Sequence, residues 1–260
     1  MNYFVNDGDV EEPDGSAVDY RIAATQNERK QAFSLLYECY TKARLSKPNA
    51  YRLRVLPHHL VSTTNVFVAF ERNNAIATVT LIGDGQFGLP LETIYSEAAE
   101  KRRQAGLSIA EISCLAVSDS ALRRFLPNFV GLTRLMAQHA RYKGIDQLLA
   151  MVHPRHARIY VRLMGFQPFG TVKPHPSVGY QPALACCLDF RNIDERRPGL
   201  WNWYFGSRIP IGKLRPQPMP EEDKRYFSPF AAMSAGPKPA GFIQMLCQPS
   251  IRGASGSASA

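Results

Sequence analysis

The pattern of apolar and polar positions predicts a chain of alternating strands and helices. Apolar residues at helical spacing, and one more polar helical segment, predict helices at 27–45, 89–106, 125–144 and 153–166. Strands are predicted at 19–25, 65–85, 109–117, 145–152 and 182–190. The second of these is a hairpin that turns at Asn73-Asn74. This order predicts an α/β fold, with a mixed central sheet flanked by helices over residues 19–190.

The two ends of the chain differ in composition from this domain. Residues 1–18 are acidic and rich in Gly, Asp and Pro, which predicts disorder. Residues 191–247 are rich in proline and predict an irregular extension, whose first half, with GLWNWYF, packs on the domain. A disordered tail is predicted at 248–260.

Composition excludes several classes of protein. The 260 residues are 45% hydrophobic and 20% charged, as in soluble globular proteins. No apolar run is long enough for a membrane span, and the acidic N-terminus does not resemble a secretory signal, so a cytoplasmic protein is expected. The five cysteines form no CxxC pair and no zinc-type cluster. We therefore expect reduced thiols and no metal site.

The charge distribution predicts an anionic partner. The net charge is +9, although the first 19 residues contain acidic residues and no Lys or Arg. A basic body suits a nucleic acid, a membrane surface or an acidic protein, and an ordinary solvated basic surface is the alternative. No recognition helix or aromatic stacking motif accompanies the charge, so nucleic acid is not expected.

One predicted strand, IAEISCLAV at 109–117, contains an acidic residue among apolar neighbours. Strand alternation places one set of side chains on the same face: Ile109, Glu111, Ser113, Leu115 and Val117. Burial disfavours a charged carboxylate, so the pKa of Glu111 should rise towards the range of a general base. The alternative is that Glu111 forms a structural ion pair with an arginine.

Four segments in order carry a family resemblance: ERKQAFSLLYECY, LPLETIYSEAAEKRRQAG, EISCLAV and HPRHARIYVRLMGF. The order of elements resembles the acetyltransferase-type (GNAT) fold. The four segments resemble the N-acyl amino acid synthases of the FeeM type, which are related in fold to acyl-homoserine lactone synthases. The resemblance covers about residues 20–190.

The resemblance implies a reaction and its substrates. The donor would be a long fatty acyl chain held as a thioester on the phosphopantetheine of an acyl carrier protein, with no permanently bound cofactor. The acceptor would be the α-amine of an amino acid. The product would be an N-acyl amino acid, a lipid whose formation is compatible with peripheral membrane contact.

The resemblance also implies catalytic residues. Glu111 and Ser113 occupy the positions of a Glu-x-Ser in the lactone synthases, and Glu111 would accept a proton from the acceptor amine. Cys114 replaces the arginine that follows that serine, which argues against a lactone product. In this fold the fourth and fifth strands splay apart. The oxyanion would then meet backbone N–H groups at Leu115, Ala116 and Val117.

The segment SALRRFLPNFVG bears on the choice of donor. It lacks the closely spaced glycines with which acetyl-CoA enzymes of this fold hold a diphosphate, and Gly131 is its single glycine. The absence of such a glycine-rich turn favours a carrier protein over free CoA. Carrier proteins are acidic, and the basic residues proposed to bind one are Arg123, Arg124, Arg155 and Arg158, with Lys143 as a further candidate.

Several assignments stay open at this stage. An arginine would suit the acceptor's carboxylate, and Arg44, Arg52 and Arg54 are equivalent candidates. Tyr160 stands five residues before Gly165, where acetyltransferases place a catalytic tyrosine at four, so core packing is predicted for it. The alternative functions are an acetyl-CoA-dependent GNAT N-acetyltransferase and a non-catalytic GNAT-like module that binds an acidic partner.

Overall fold

The computed structural model describes residues 18–234 and contains one mixed seven-stranded sheet. Its strands are β1 (Asp19–Ile22), β2 (Thr64–Glu71), β3 (Asn74–Gly83), β4 (Ile109–Val117), β5 (Gln147–Val152), β6 (Gln167–His175) and β7 (Gln181–Asp189). The strand order is β1-β2-β3-β4-β5-β7-β6. The β4–β5 pair is parallel and the other neighbouring pairs are antiparallel. The predicted mixed α/β fold is confirmed.

Helices cover both faces of the sheet. They are α1 (Gln26–Lys42), α2 (Glu92–Gln104), α3 (Phe125–Tyr142), α4 (Pro154–Ile159), α5 (Ile193–Arg196), α6 (Trp201–Phe205), α7 (Ile211–Leu214) and α8 (Glu221–Ser234). Short 3₁₀ turns lie at Pro57–Leu60, Asp119–Arg124 and Pro176–Val178. Helices α1, α2 and α8 pack on one face, and α3, α4 and α6 pack on the other.

The start of α1 shows how local sequence determines an element. Thr25 accepts the backbone N–H of Glu28, and the Glu28 carboxylate accepts the N–H groups of Ala24 and Thr25. This capping box satisfies N–H groups that have no partner inside the helix. It sets the start of α1, so that its apolar face packs on β2 to β4.

Strands β4 and β5 separate at the centre of the sheet. They pair from Ile109 opposite Gln147 to Ile112 opposite Ala150, and the pairing then stops. β4 continues along β3 as far as Val117. Over residues 113–117 the edge of β4 that faces β5 therefore has no strand partner among residues 18–234. We call the space beside this edge the β4–β5 gap.

A β-bulge at Cys114 changes the face of the sheet on which the later side chains of β4 lie. Thr80 pairs with Ser113 and Thr78 with Ala116, so β4 holds one residue more than β3 here, and Cys114 has φ +56°. Cys114 and Ala116 pack against α1, on the side of Glu111. Leu115 and Val117 pack on the opposite, α3 side. The predicted alternation through Leu115 and Val117 is therefore wrong, because the extra residue shifts the two-residue period.

The C-terminal extension is more regular than its prolines suggest. Up to Ser234 it forms α5 to α8, and α8 tolerates Pro229 in its interior. Tyr204 of α6 is buried, with its hydroxyl 2.7 Å from that of Thr133 on α3. Asp223 of α8 forms a buried ion pair with Arg29 on α1, at 2.7 Å. Up to Ser234 the segment is therefore more helical than the predicted irregular extension.

Some predictions fall on residues outside the description. Residues 1–17 and 235–260 lie outside the described range, and they include nearly all of the predicted N-terminal disordered region and the whole 248–260 tail. Within residues 18–234, no helix is both long and apolar enough to cross a membrane.

Candidate functional site

Glu111 lies in the interior of the protein, near the centre of β4. Its side chain is 1% exposed, and its Oε2 accepts the N–H of Leu91 at 2.6 Å. Burial raises the pKa of Glu111 to about 8; the Leu91 N–H opposes this rise and the negative Glu92 adds to it. No arginine or lysine among residues 18–234 forms an ion pair with Glu111. Within the described residues the alternative of a structural ion pair is therefore wrong, and the predicted rise in the pKa of Glu111 agrees with the structure.

The segment that precedes α2 covers Glu111. Leu89 and Leu91 are buried in a cluster with residues of β3, β4 and β5, and this burial brings the Leu91 N–H to the carboxylate. Arg103, on the last turn of α2, forms ion pairs with Glu92 and with Asp84 at the end of β3. Apolar burial and these ion pairs together hold this cover in place.

Ser113 and Cys114 lie at the bulge, two and three residues beyond Glu111. Ser113 is partly exposed, and its hydroxyl donates to the Cys114 sulfur at 3.6 Å. Burial raises the pKa of the Cys114 thiol, while Arg54 lowers it and Glu111 raises it. The charges of Arg54 and Glu111 therefore both act on the Cys114 thiol, so the two groups lie near the same part of β4.

A polar cluster that the sequence did not reveal adjoins the bulge. His59 is buried and stacks on Phe33 with ring centroids 4.6 Å apart. Its Nδ1 accepts the N–H of Leu56 at 3.0 Å, so in the neutral ring Nε2 carries the hydrogen and faces the Thr80 hydroxyl at 3.3 Å. Burial, with His58 and Arg54 nearby, lowers the pKa of His59 to about 3, so it stays neutral. A Pro-His-His sequence in a predicted loop carried no signal for this role.

Arg54 and Tyr40 complete the cluster. The Arg54 side chain is buried, with its guanidinium 4.9 Å from the centroid of the Tyr40 ring. One of its nitrogens donates to the carbonyl of Ser177, in the turn between β6 and β7, at 3.2 Å. Tyr40 itself packs against the cluster formed by Leu35, Leu36, Cys114 and Ala116. The other two candidate arginines, Arg44 and Arg52, are exposed.

Tyr160 lies in the core on the α3 face of the sheet, as predicted. It packs against Phe129 and Phe166, with ring centroids 5.9 and 5.6 Å away. Residues Tyr160–Met164 form a π-helix that continues α4 and ends at Gly165, so the wider turn accommodates the additional residue before that glycine. Burial raises the pKa of Tyr40, and Tyr160 contributes to this rise. The two tyrosines, which come from opposite faces of the sheet, are therefore close enough to interact.

The basic residues proposed for docking do not form one uniform group. Arg123 precedes α3 and is exposed, and Arg155 and Arg158 are exposed on α4. Because β4 and β5 are parallel, the starts of α3 and α4 lie at the same edge of the sheet. Arg124, however, forms an ion pair with Glu71. Lys143 follows the far end of the 18-residue α3, roughly 27 Å along the helix axis, and does not join the others.

Gly131 has a structural role within α3. A side chain at this position would collide with the ring of Tyr20, which packs directly on the helix. The glycine thus permits close packing of β1 on α3 and does not form a phosphate-binding turn. Among residues 18–234, no group of three or more His, Cys, Asp or Glu side chains could hold a metal ion.

Comparisons with known proteins agree with this architecture. The family model for the N-acyl amino acid synthase FeeM matches residues 31–189, which is more than half of the chain. The structure of FeeM, an N-acyl amino acid synthase from uncultured soil microbes, superposes with a TM-score of 0.62 at 23% identity, over 72% of this chain and 97% of that one. No curated protein sequence matches the chain.

Two more distant solved structures share the fold. The acyl-homoserine lactone synthase LasI gives a TM-score of 0.54 at 13% identity, over 75% of this chain and 98% of that one. A polyamine N-acetyltransferase from Drosophila melanogaster gives 0.50 at 17% identity, over 67% and 100%. The sheet is thus the GNAT-like sheet that the order of elements predicted. The chain belongs to the FeeM family of N-acyl amino acid synthases and is an N-acyltransferase.

Proposed function

We propose that the protein transfers a long-chain fatty acyl group from an acyl carrier protein thioester to the α-amine of an amino acid. The observation that carries the proposal is Glu111, a carboxyl group with no ion-pair partner among the described residues, buried beside the β4–β5 gap with a pKa raised to about 8. The family of the chain supports the same reaction class.

Glu111 is the proposed general base. An amino acid is an ammonium ion in neutral water and must lose a proton before its nitrogen can attack a thioester carbonyl. A carboxylate with a pKa of about 8 holds that proton far better than an ordinary glutamate. Oε2 is engaged by Leu91, whereas Oε1 has no hydrogen-bond partner among residues 18–234. We assign the proton to Oε1, and Ser113 is proposed to hold the amine or an intervening water.

The β4–β5 gap is the proposed position of the thioester. Within the described part of the chain, the edge of β4 over residues 113–117 has no strand partner on the β5 side. Backbone N–H groups along such an edge can donate to a developing oxyanion. Successive N–H groups along a strand point to opposite edges, and Ser118 donates its N–H to Ile76 on β3. By this alternation the N–H of Ala116 points to β3 and that of Val117 points to the gap. We therefore retain the N–H groups of Leu115 and Val117 as the proposed donors and withdraw that of Ala116.

A carrier protein remains the proposed donor partner. Gly131 is occupied by packing on Tyr20, and α3 begins with Phe-Leu-Pro, which supports the absence of a glycine cradle for a diphosphate. Arg123, Arg155 and Arg158 are the exposed charges proposed to bind an acidic carrier. Arg124 can contribute only if its ion pair with Glu71 opens.

The experiment supplies the purified protein with a long-chain acyl carrier protein, the same acyl-CoA or acetyl-CoA, each with the twenty amino acids. Mass spectrometry then detects N-acyl amino acids. We expect product with the carrier protein and little with acetyl-CoA. Efficient acetylation would support the alternative acetyltransferase, and no product from any donor would support a non-catalytic module.

A variant pair then tests Glu111. Glu111→Gln should lower the rate of acyl transfer by ~10²–10⁴-fold, the usual contribution of a general base. Glu97→Gln, a matched change at an exposed glutamate on α2, should leave the rate unchanged. Equal rates in both variants would remove Glu111 from the mechanism.

A further inference from the structure

Arg54 is a buried cation that no anion of the described residues 18–234 neutralises. Its side chain is 8% exposed, yet no carboxylate among residues 18–234 forms an ion pair with it. Its Nε is buried and has no hydrogen-bond partner within the described residues. An unpaired buried charge is costly, and proteins retain one chiefly where a ligand completes it.

The neighbours of Arg54 do not supply the missing negative charge. Tyr40 offers its ring face, and Ser177 offers one carbonyl oxygen. His59 is held neutral by burial. Burial and the nearby Arg54 also lower the pKa of His175, whose Nδ1 is buried without a partner among the described residues. The cluster is therefore a desolvated positive site, with unused nitrogens on two side chains.

The site lies beside the proposed reaction centre. Arg54 stacks on Tyr40, and Tyr40 packs against the cluster that contains Cys114, three residues beyond Glu111 on β4. The charges of Arg54 and Glu111 both shift the pKa of the Cys114 thiol. In an amino acid the carboxylate and the amine are attached to the same carbon atom. A ligand held by its carboxylate at this cluster would direct its amine towards the Glu111 region.

We propose that Arg54, with Tyr40 and His175 beside it, binds the α-carboxylate of the acceptor and so restricts the enzyme to amino acids over simple amines. The proposal rests on the proposed function. It selects one of three arginines that the sequence left equivalent. Arg44 and Arg52 are exposed, and Arg52 is already paired with Glu38. A guanidinium can bind a carboxylate through two parallel hydrogen bonds, whereas a lysine ammonium is a single point charge.

The test compares amino acids with amines that lack the carboxyl group. Leucine is paired with isoamylamine and phenylalanine with phenethylamine, and kcat/KM is measured for each with the wild-type protein and Arg54→Gln. The wild type should prefer the amino acid of each pair. Arg54→Gln should lower kcat/KM for the amino acids by ~10²-fold or more, mainly through KM, and leave the amines unchanged.

The controls distinguish failure of the carboxylate site from failure of the proposed function. Arg52→Gln, an exposed change two residues away, should keep the wild-type preference. Retained activity on amines shows that Arg54→Gln is folded; if that variant does not fold, the preference of the wild type and of Arg54→Lys still decides. A wild type that acylates amines as well as amino acids would overturn the carboxylate site while the acyltransferase function stands. Absence of product from every acceptor would instead overturn the proposed function.

Discussion

The raised pKa of Glu111 makes a quantitative prediction about stability. The folded protein holds this proton with a pKa of about 8, whereas the ordinary value is 4.5. Between these two pH values the folded state binds one more proton than the unfolded state, so the free energy of unfolding falls as pH rises. Stability from this group is complete below pH 4.5 and is lost as pH approaches 8.

The magnitude follows from proton linkage. Each pH unit inside this window costs about 1.4 kcal/mol. With these two pKa values, the loss is about 1.4 kcal/mol at pH 5.5 and about 4 kcal/mol at pH 7.5. Other groups titrate over the same range, so the useful quantity is the difference between wild type and Glu111→Gln. Between pH 5.5 and pH 7.5, the free energy of unfolding of the variant should therefore rise by about 2.5 kcal/mol relative to that of wild type.

The assay is urea unfolding at a series of pH values, followed by the fluorescence of Trp201 and Trp203. Glutamine cannot ionise, and its amide oxygen can still accept the Leu91 N–H. Any cost of its additional NH₂ group is independent of pH and does not affect the slope. Glu97→Gln, the same change at an exposed glutamate on α2, is the matched control. If the difference in the free energy of unfolding between Glu111→Gln and wild type did not change with pH, the raised pKa of a buried, unpaired carboxyl would be refuted. If the difference changed with the opposite sign, Glu111 would instead form an ion pair.

Three further predictions concern activity and packing. The kcat/KM of the wild type should rise with pH, with an apparent pKa near 8 that stays the same for acceptors of different amine pKa, and Glu111→Gln should lose this limb. Asp223→Asn should cost about 3–5 kcal/mol in urea unfolding, because Arg29 would stay buried without its partner. Gly165→Ala should lower the free energy of unfolding by about 2 kcal/mol or more, since φ is +82° and the new methyl group would strike Pro198; wild-type stability would contradict this.

Much of the fold could be predicted from local patterns. The apolar period of α1, the asparagines of the hairpin and the Gly-Phe after the helix that begins at Pro154 are short-range signals, and these elements lie close to where they were expected. The predicted turn at Asn73-Asn74 is wrong by one residue, because the chain turns at Arg72-Asn73, where both residues have positive φ. Strand β6 was not located, because its prolines and glycine obscure any alternation and its side chains are mostly exposed. Helix α8 was missed because Pro229 suggested irregular structure.

The candidate site was only partly predictable. Glu111 was evident because an acidic residue in an apolar strand is a local anomaly. His59, Thr80 and Tyr40 gave no such signal, since their positions depend on contacts between distant segments. The face predicted for the Leu115 side chain was wrong for a related reason. A bulge depends on how many residues two strands place between matched pairs, and one strand alone does not contain that information.

The sequence by itself determined the order of elements, the acidic residue in β4 and the absence of a glycine-rich turn before α3. These features depend on neighbours within a few residues. Tertiary structure decided that Glu111 has no ion-pair partner within residues 18–234, that Arg124 is paired with Glu71, and that Arg54 alone of three arginines is buried. Burial and pairing are properties of surroundings assembled from remote parts of the chain. The electrostatic character of each charge was therefore decided only when the sheet and its covering helices came together.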